Sequence, residues 1–407
     1  MASDDNASLA PGFGLVLLLF VSARLMMLMV WPAENLTLYG DYRYYFDLAA
    51  LSHAGFLPFI HYWSEHAPLF PFLNLVIYQL SGGVFKNHVV LVGLAMLLFE
   101  AGALWLLYRL ATHLYGEFQA TQIAWVYVAL YIPVFIWLST FEAMTAFFVL
   151  LALLGLQQRR AWLSGLAIGL GTLTKFVPLL LLATVWRTWG RRAALISGVV
   201  ALAICAALLG PLLVLSPDYT LASLQAQASK SSWQTVWALI DGNTHNTGNL
   251  GPIADRFDPA KAVEPLYNPS RLPTWLTLIP FALVGGFLFT RPPVRGEADG
   301  PIFMALTFVL FFLWSKGWSP QWQAFLIPLL LLALPLRRAV LFVLTLGFVN
   351  LLEWPVMLSR GLWEWLPLTI AVRTLIFVLL GWELYRQMRR PSPGMRPHRL
   401  RFSEVHR

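Results

Sequence analysis

The sequence predicts an all-α fold, a polytopic bundle of about ten or eleven transmembrane helices, on three observations. Of its 407 residues, 58% are hydrophobic and only 12% are charged, which is about half the charged share of an ordinary globular domain. Apolar runs of 16 to 22 residues recur from Leu15 almost to the C-terminus, close to the roughly 20 residues that a helix needs to cross a hydrocarbon core. Arginines fall in short clusters between these runs, as they do in the loops of membrane proteins.

The basic clusters determine the orientation of the predicted helices. The net charge of +8 is not gathered into a basic stripe on a soluble domain, so we predict membrane lipids as partners and no nucleic acid. The single cysteine, Cys205, provides neither a disulfide nor a cysteine metal site. By the positive-inside rule, the following groups are predicted to be cytoplasmic: Arg109 with His113, Arg159 with Arg160, Arg187 with Arg191 and Arg192, Arg291 with Arg295, Arg337 with Arg338, and the tail from Arg386.

The first helix is predicted over 14–31, because its apolar run is too long for the core of a signal peptide. A long external loop is predicted to follow over 32–87. Within this loop, 40–53 and 68–80 are short and rich in aromatic residues, and we predict that both lie at the membrane interface, where aromatic rings are favoured. If 68–80 crossed the membrane, the next basic clusters would face the wrong side.

An interrupted apolar stretch, 162–186, is predicted to form a re-entrant hairpin. It contains Lys175 and Pro178 and has arginines on both sides, which ought all to face the cytoplasm. Irregular backbone at membrane depth is tolerated where it is buried in protein or lines a wet cavity. The hairpin is therefore predicted to lie against a functional site, with Lys175 near its turn.

The rest of the chain completes one transmembrane domain, predicted to extend over 1–386. A second external loop is predicted over 216–272, and the basic tail 387–407 is predicted to be cytoplasmic and disordered. The remaining spans are predicted at 88–108, 118–138, 141–158, 194–215, 273–291, 300–315, 321–336, 339–354 and 367–386.

A carboxylate in the first external loop is the candidate catalytic residue. Asp41 follows the first helix directly and precedes the aromatic residues Tyr44 and Tyr45. At this boundary between membrane and water, a carboxylate can take the proton of an acceptor hydroxyl, while the phosphate of a lipid-linked sugar leaves. The alternative is that Asp41 only caps the interfacial helix, since aspartate is favoured at that position.

Two further groups are candidates for binding substrate. Glu65 and His66 precede the second interfacial helix, where they could contact acceptor hydroxyls, hold a metal together with Asp41, or remain solvated. Lys175 lies inside an apolar stretch, a costly position that usually faces a cavity or a partner. Its partner is predicted to be a lipid phosphate, and the alternatives are Glu100 or Glu142.

A short turn and the second external loop supply the remaining candidates. Indole rings stack on sugar faces, while lysine, serine and glutamine side chains bind phosphate oxygens or hydroxyls. An aromatic belt with a snorkelling lysine is the structural alternative for the turn. The candidates are Lys316, Trp318, Ser319, Gln321 and Trp322 in the turn, and Trp233 and Asp241 in the loop.

The chain resembles the GT-C superfamily of integral membrane glycosyltransferases. The similarity is greatest to the polyprenyl-phosphate-mannose-type and glycosyltransferase 87-like members, and to the catalytic subunits of GPI mannosyltransferases. It covers most of the chain and rests on four features in a shared order: Asp41 after the first helix, the helix start Ala67-Pro68-Leu69-Phe70-Pro71, the stretch 165–178 around Lys175, and the turn 316–321.

This resemblance implies transfer of a hexose, most often mannose, from a polyprenyl phosphate to a lipid or glycan acceptor. Transfer would take place on the non-cytoplasmic face of a bacterial plasma membrane, with inversion at the anomeric carbon. Asp41 would be the base, Lys175 and Lys316 with Ser319 and Gln321 would hold the donor, and Glu65 would face the acceptor. Many members carry a paired Asp-X-Asp signature, whereas Asp41 has no such partner, so we predict a metal-independent reaction without a cofactor.

Two other functions fit parts of the same pattern. A transporter or lipid-sugar flippase would also need external aromatic residues, membrane lysines and a cavity. It would place its ionisable groups near the bilayer midplane, however, and often shows inverted repeats, which this sequence lacks. A catalytically inactive subunit of the same fold is the third possibility, because the paired acidic signature is missing.

Overall fold

The computed structural model describes residues 11–138, 140–248 and 251–390, and it is helical almost throughout, as predicted. Six helices in this part of the chain are long and apolar enough to cross a membrane. Several further apolar helices are shorter, and some predicted spans consist of two consecutive helices. The chain is therefore an integral membrane protein.

The first part of the chain contains one long helix and three short ones. The long helix corresponds to the span predicted over 14–31, and the last two correspond to the segments predicted at the membrane interface. The helices are α1 (Pro11–Val30), α2 (Ala33–Leu36), α3 (Tyr42–Ala50) and α4 (Leu69–Leu80).

The next helices form the centre of the bundle. A buried ion pair joins α1 to the first of them, with the Arg24 Nε 2.6 Å from the Glu100 Oε2. Pro133 explains a break in the predicted span 118–138, because its ring would clash with the carbonyl of residue 129 in a continuous helix. The helices are α5 (Phe85–Tyr115), α6 (Glu117–Ala129), α7 (Tyr131–Trp137) and α8 (Glu142–Gln157).

A break within the chain separates two short apolar helices, and a long helix follows them. The elements are α9 (Ala161–Thr172), a 3₁₀ turn (Val177–Leu180), α10 (Leu181–Trp189) and α11 (Arg191–Leu215). Gly165 lies against Ser197, and a Cβ at this glycine would be 2.6 Å from the Ser197 carbonyl oxygen. Gly169 lies against Ala201, so α9 and α11 run in the same direction. The chain therefore reverses twice between them, first at the break that contains Lys175 and again between α10 and α11.

The second external loop folds onto the first. It contains α12 (Pro217–Ser229) and α13 (Val236–Asp241). The Trp63 indole donates to the Asp255 carbonyl at 2.9 Å, and the Ser64 N–H donates to the Ser223 Oγ at 2.9 Å. The Gln227 amide also donates to the Glu65 carbonyl at 2.7 Å. These contacts join the two external loops into one cap over the bundle.

The C-terminal part adds the last apolar helices. They are α14 (Thr274–Thr290), α15 (Asp299–Trp314), α16 (Gln323–Ala333), α17 (Leu336–Leu351) and α18 (Leu366–Arg389). The last helix continues three residues past the predicted end at 386, and most of the predicted tail 387–407 lies outside the described residues. Between the last two helices, a π-helical turn contains Glu353, which forms a buried ion pair with Arg373 of α18.

Candidate active site

A cavity of about 780 Å³ lies between this cap and the bundle, within the usual range of small-molecule sites. Its walls come from the start of α3, the break before α10, the second external loop, and the turn between α15 and α16. The structure brings together most of the predicted site residues, which line this cavity: Asp41, Tyr44, Tyr45, Glu65, His66, Lys175, Trp233, Lys316, Ser319, Gln321 and Trp322.

Asp41 lies at the start of α3 but does not act as its cap. Its side chain makes no capping hydrogen bond, and its Oδ2 accepts only a long one of 3.4 Å from the Tyr45 hydroxyl. Burial raises the pKa of Asp41 to about 6, and the nearby Glu65 carboxylate adds to this rise. The Lys230 ammonium has the opposite effect and lowers the pKa. A carboxylate with this pKa can accept a proton at neutral pH.

Glu65 is held mainly by the second external loop. Its Oε2 lies 2.7 Å from the Arg256 Nη2 and accepts a 3.1 Å hydrogen bond from the Tyr44 hydroxyl. Burial is the largest single influence and alone would raise the pKa of Glu65. The Arg256 guanidinium, the Lys230 ammonium, His66 and the Tyr44 hydrogen bond together outweigh burial, so the pKa is lowered. His66 is adjacent, and its burial lowers its pKa to about 4, so it is neutral.

Lys175 forms an ion pair with Glu142 at the start of α8. The sequence left Glu100 and Glu142 as alternatives to a lipid phosphate for the partner of Lys175. The structure pairs Lys175 with Glu142, whereas Glu100 binds Arg24. The Lys175 Nζ lies 4.8 Å from the Trp322 ring and remains partly accessible, because its side chain is 20% exposed. Glu142 is only 2% exposed, and its Oε2 has no hydrogen-bond partner among the described residues.

The turn between α15 and α16 is fixed to the second external loop by a short pairing. The Trp233 N–H donates to the Lys316 carbonyl at 3.1 Å, and the Trp233 indole donates to the Ser319 Oγ at 3.2 Å. A Cβ at Gly317 would lie 2.2 Å from the Trp233 ring, so only glycine fits there. This pairing presents Lys316, Ser319 and Trp233 to the cavity together.

Two predicted site residues do not line the cavity. Trp318 is 1% exposed and donates from its indole to the Asn350 Oδ1 at 3.1 Å. Asp241 is 3% exposed and accepts hydrogen bonds from the Ser232 hydroxyl at 2.6 Å and the Arg271 N–H at 2.8 Å. Both side chains are bonded within the protein and stabilise the structure around the site, whereas the other predicted residues line the cavity.

Several polar residues that line the cavity were not among the predicted site residues, and they include Lys230, Glu142 and Gln234. Lys230 precedes Trp233, and that proximity is the signal that could have identified it. Burial lowers the pKa of Lys230, while the Glu65 carboxylate opposes the shift. The residues that the structure describes contain no group of three His, Cys, Asp or Glu side chains placed to hold a metal ion.

Comparison with protein families gives one match. The profile of glycosyltransferase family 87 matches residues 71–315, which is more than half of the chain. A comparison with curated proteins found no match.

Comparison with solved structures finds similar folds. Apo ArnT from Cupriavidus metallidurans is 15% identical with a TM-score of 0.51, over 92% of this chain and 77% of that one. The Archaeoglobus fulgidus oligosaccharyltransferase in its apo form is 13% identical with a TM-score of 0.44, over 93% of this chain and 55% of that one. The likeness to ArnT concerns the fold.

Proposed function

This chain belongs to glycosyltransferase family 87 and is a membrane glycosyltransferase of the GT-C superfamily, and from that premise we propose its substrates and mechanism. The donor is a hexose, taken to be mannose, on a polyprenyl phosphate. The acceptor is a hydroxyl of a lipid or glycan at the outer face of a bacterial plasma membrane. Family membership favours an enzyme over the transporter and flippase alternatives.

One observation carries the proposed mechanism: a carboxylate without a capping role shares a cavity with three lysines. Asp41 lines the same cavity as Lys175, Lys230 and Lys316. Ammonium groups bind phosphate oxygens through charge-assisted hydrogen bonds. The donor phosphate therefore has cationic partners in the cavity that holds the base.

The reaction needs a single displacement. The acceptor oxygen attacks the anomeric carbon, the bond from that carbon to the phosphate oxygen breaks, and the acceptor proton passes to Asp41. Polyprenyl phosphate leaves, and the anomeric configuration inverts. Indole rings of Trp233 and Trp322 line the cavity and are placed to stack on a sugar face.

The direct test is transfer of radiolabelled sugar in membranes that contain the chain, compared with membranes that lack it. We expect label to pass from polyprenyl-phosphate mannose to the acceptor, both with and without EDTA. The anomeric configuration of the product should be opposite to that of the donor. Polyprenyl-phosphate glucose and a nucleotide-linked mannose are the control donors. Transfer only from the nucleotide sugar would overturn the donor class, and loss with EDTA would overturn metal independence.

The pH dependence of transfer reports the ionisation of Asp41. Because Asp41 must be deprotonated to act as a base, kcat/KM is expected to rise through about pH 6, the pKa of its buried carboxyl, and to level off above about 7. The Lys230 ammonium lowers this pKa. In Lys230→Met the rise is therefore expected at higher pH.

The matched control for this shift is Lys261→Met. Lys261 lies in the same loop but pairs at the surface with Glu264, so its removal should leave the pH profile unchanged. If the rise stays at the same pH in Lys230→Met, Lys230 does not act on the titrating base.

A further inference from the structure

Gln234 has a side chain buried against the cavity without any partner. The residue is 1% exposed and lines the cavity. Among the residues that the structure describes, neither its Nε2 nor its Oε1 has a hydrogen-bond partner. The great majority of buried polar side-chain atoms in proteins are hydrogen-bonded, so an amide with both atoms unsatisfied calls for a ligand that donates and accepts.

The backbone of Gln234 is held in an uncommon conformation. Its φ of 50° lies in the left-handed region, which residues other than glycine rarely adopt and which is concentrated at functional sites. Arg373 donates to the Gln234 carbonyl and also pairs with Glu353, and both charged side chains are buried.

The residues on either side of Gln234 are also fixed. The Trp318 N–H donates to the Trp233 carbonyl at 3.2 Å, and the Thr235 hydroxyl donates to the Lys316 carbonyl at 2.8 Å. The main chain is thus anchored before and after Gln234 and at its own carbonyl. The side-chain amide, by contrast, has no partner in the described parts of the chain.

Packing alone does not account for a glutamine at this position. A leucine or methionine has similar volume, packs against the same neighbours, and leaves no unsatisfied polar atom. A phosphate is also a poor match for the Gln234 amide, because phosphate oxygens mainly accept hydrogen bonds. The cavity already contains three lysines that can donate to a phosphate. A neutral amide that both donates and accepts matches a pair of hydroxyl groups.

We propose that Gln234 binds neighbouring hydroxyls of the transferred sugar and thereby contributes to the choice of donor. Its Nε2 donates to one hydroxyl oxygen, and its Oε1 accepts from the next hydroxyl. Arg373 is a positioning residue that holds the backbone from which this amide projects. The inference rests on the proposed function, since it assigns a role within the same donor site.

If Gln234 binds a sugar hydroxyl in this way, the rate of transfer should depend on whether the donor carries that hydroxyl. When a donor lacks that hydroxyl, the buried amide stays unsatisfied in the complex. We expect at least one singly deoxygenated donor to react with kcat/KM reduced about tenfold or more relative to the parent hexose.

The test uses Gln234→Gly with a panel of polyprenyl-phosphate donors in which each sugar hydroxyl is removed in turn. Glycine accepts a positive φ without strain, and the lost side chain makes no hydrogen bond in the protein. The thermal unfolding temperature of the purified chain should therefore not fall. Transfer from the parent donor should drop about tenfold, while discrimination against the sensitive deoxy donor should fall to about twofold or less.

Arg159→Gly is the matched control. Arg159 also has a positive φ, 56°, but is exposed and does not line the cavity. Its replacement relieves the same kind of strain, and donor discrimination should be unchanged.

Three outcomes separate this inference from the proposed function. Wild-type transfer without discrimination among the deoxy donors overturns the inference alone. Unchanged discrimination in Gln234→Gly overturns it as well, and a lowered unfolding temperature with unchanged discrimination assigns the side chain a structural role. Absence of wild-type transfer from every donor overturns the proposed function, and the inference falls with it.

Discussion

Replacing Asp41 with asparagine is expected to reduce sugar transfer by about 10²- to 10⁴-fold, the usual contribution of a general base. Asparagine has nearly the same shape but cannot accept the acceptor proton. Within the described residues, the one hydrogen bond to the Asp41 side chain is a long one, 3.4 Å, from the Tyr45 hydroxyl. The variant is therefore expected to fold normally, so that the loss reflects chemistry.

The control for this variant lies on the same helix. Asp47 pairs with Arg43 at the surface of α3, where such pairs contribute little to stability. Asp47→Asn should transfer sugar at the wild-type rate. Steady-state rates in proteoliposomes compare the variants, and full activity in Asp41→Asn would show that another group takes the proton.

Replacing Lys175 with methionine is expected to lower both stability and transfer. The Glu142 carboxylate, 2% exposed, would then be buried without its cation, and removal of one partner of a buried pair costs about 3–5 kcal/mol. If Lys175 also holds the donor phosphate, transfer falls for a second reason.

A double variant separates the two effects. Lys175→Met combined with Glu142→Gln removes both charges, so the thermal unfolding temperature should return towards that of the wild type. Transfer should stay low, because no ammonium at this position meets the phosphate. Recovery of transfer together with stability would mean that Lys175 serves only to neutralise Glu142.

A second buried pair, whose residues do not line the cavity, provides the comparison. Arg24 and Glu100 are 2% and 6% exposed at their side chains and join α1 to α5. Arg24→Met combined with Glu100→Gln removes a pair of the same kind, and transfer in this double variant should be retained.

The helices were largely predictable because the bilayer determines both the length of an apolar helix and the positions at which charged residues occur. The span predicted at 194–215 is observed as Arg191–Leu215, and the one at 300–315 as Asp299–Trp314. The break around Lys175 was predictable for the same reason, since a lysine and a proline interrupt an apolar run. In each case the prediction depends on residues that are adjacent in sequence.

The pairing of side chains was less predictable, because it depends on how distant segments pack. Nothing near Arg256 in sequence indicates that it binds Glu65. Asp241 is a carboxylate in an aromatic-rich loop, as a site residue would be, but it accepts a hydrogen bond from the Arg271 N–H. Trp318 and Trp322 sit four residues apart in one turn, yet only Trp322 lines the cavity. Which side a turn residue faces follows from the fold.

The joining of the two external loops has a consequence for chimeric enzymes. Glu65 and Arg256 form an ion pair between the loops, and Trp63 reaches the carbonyl of Asp255. A chimera that received only the first loop of a relative would bury the Arg256 guanidinium without its counterion. We therefore expect the two loops to be interchangeable between relatives only as a pair, and substitutions at Glu65 and Arg256 to accumulate together.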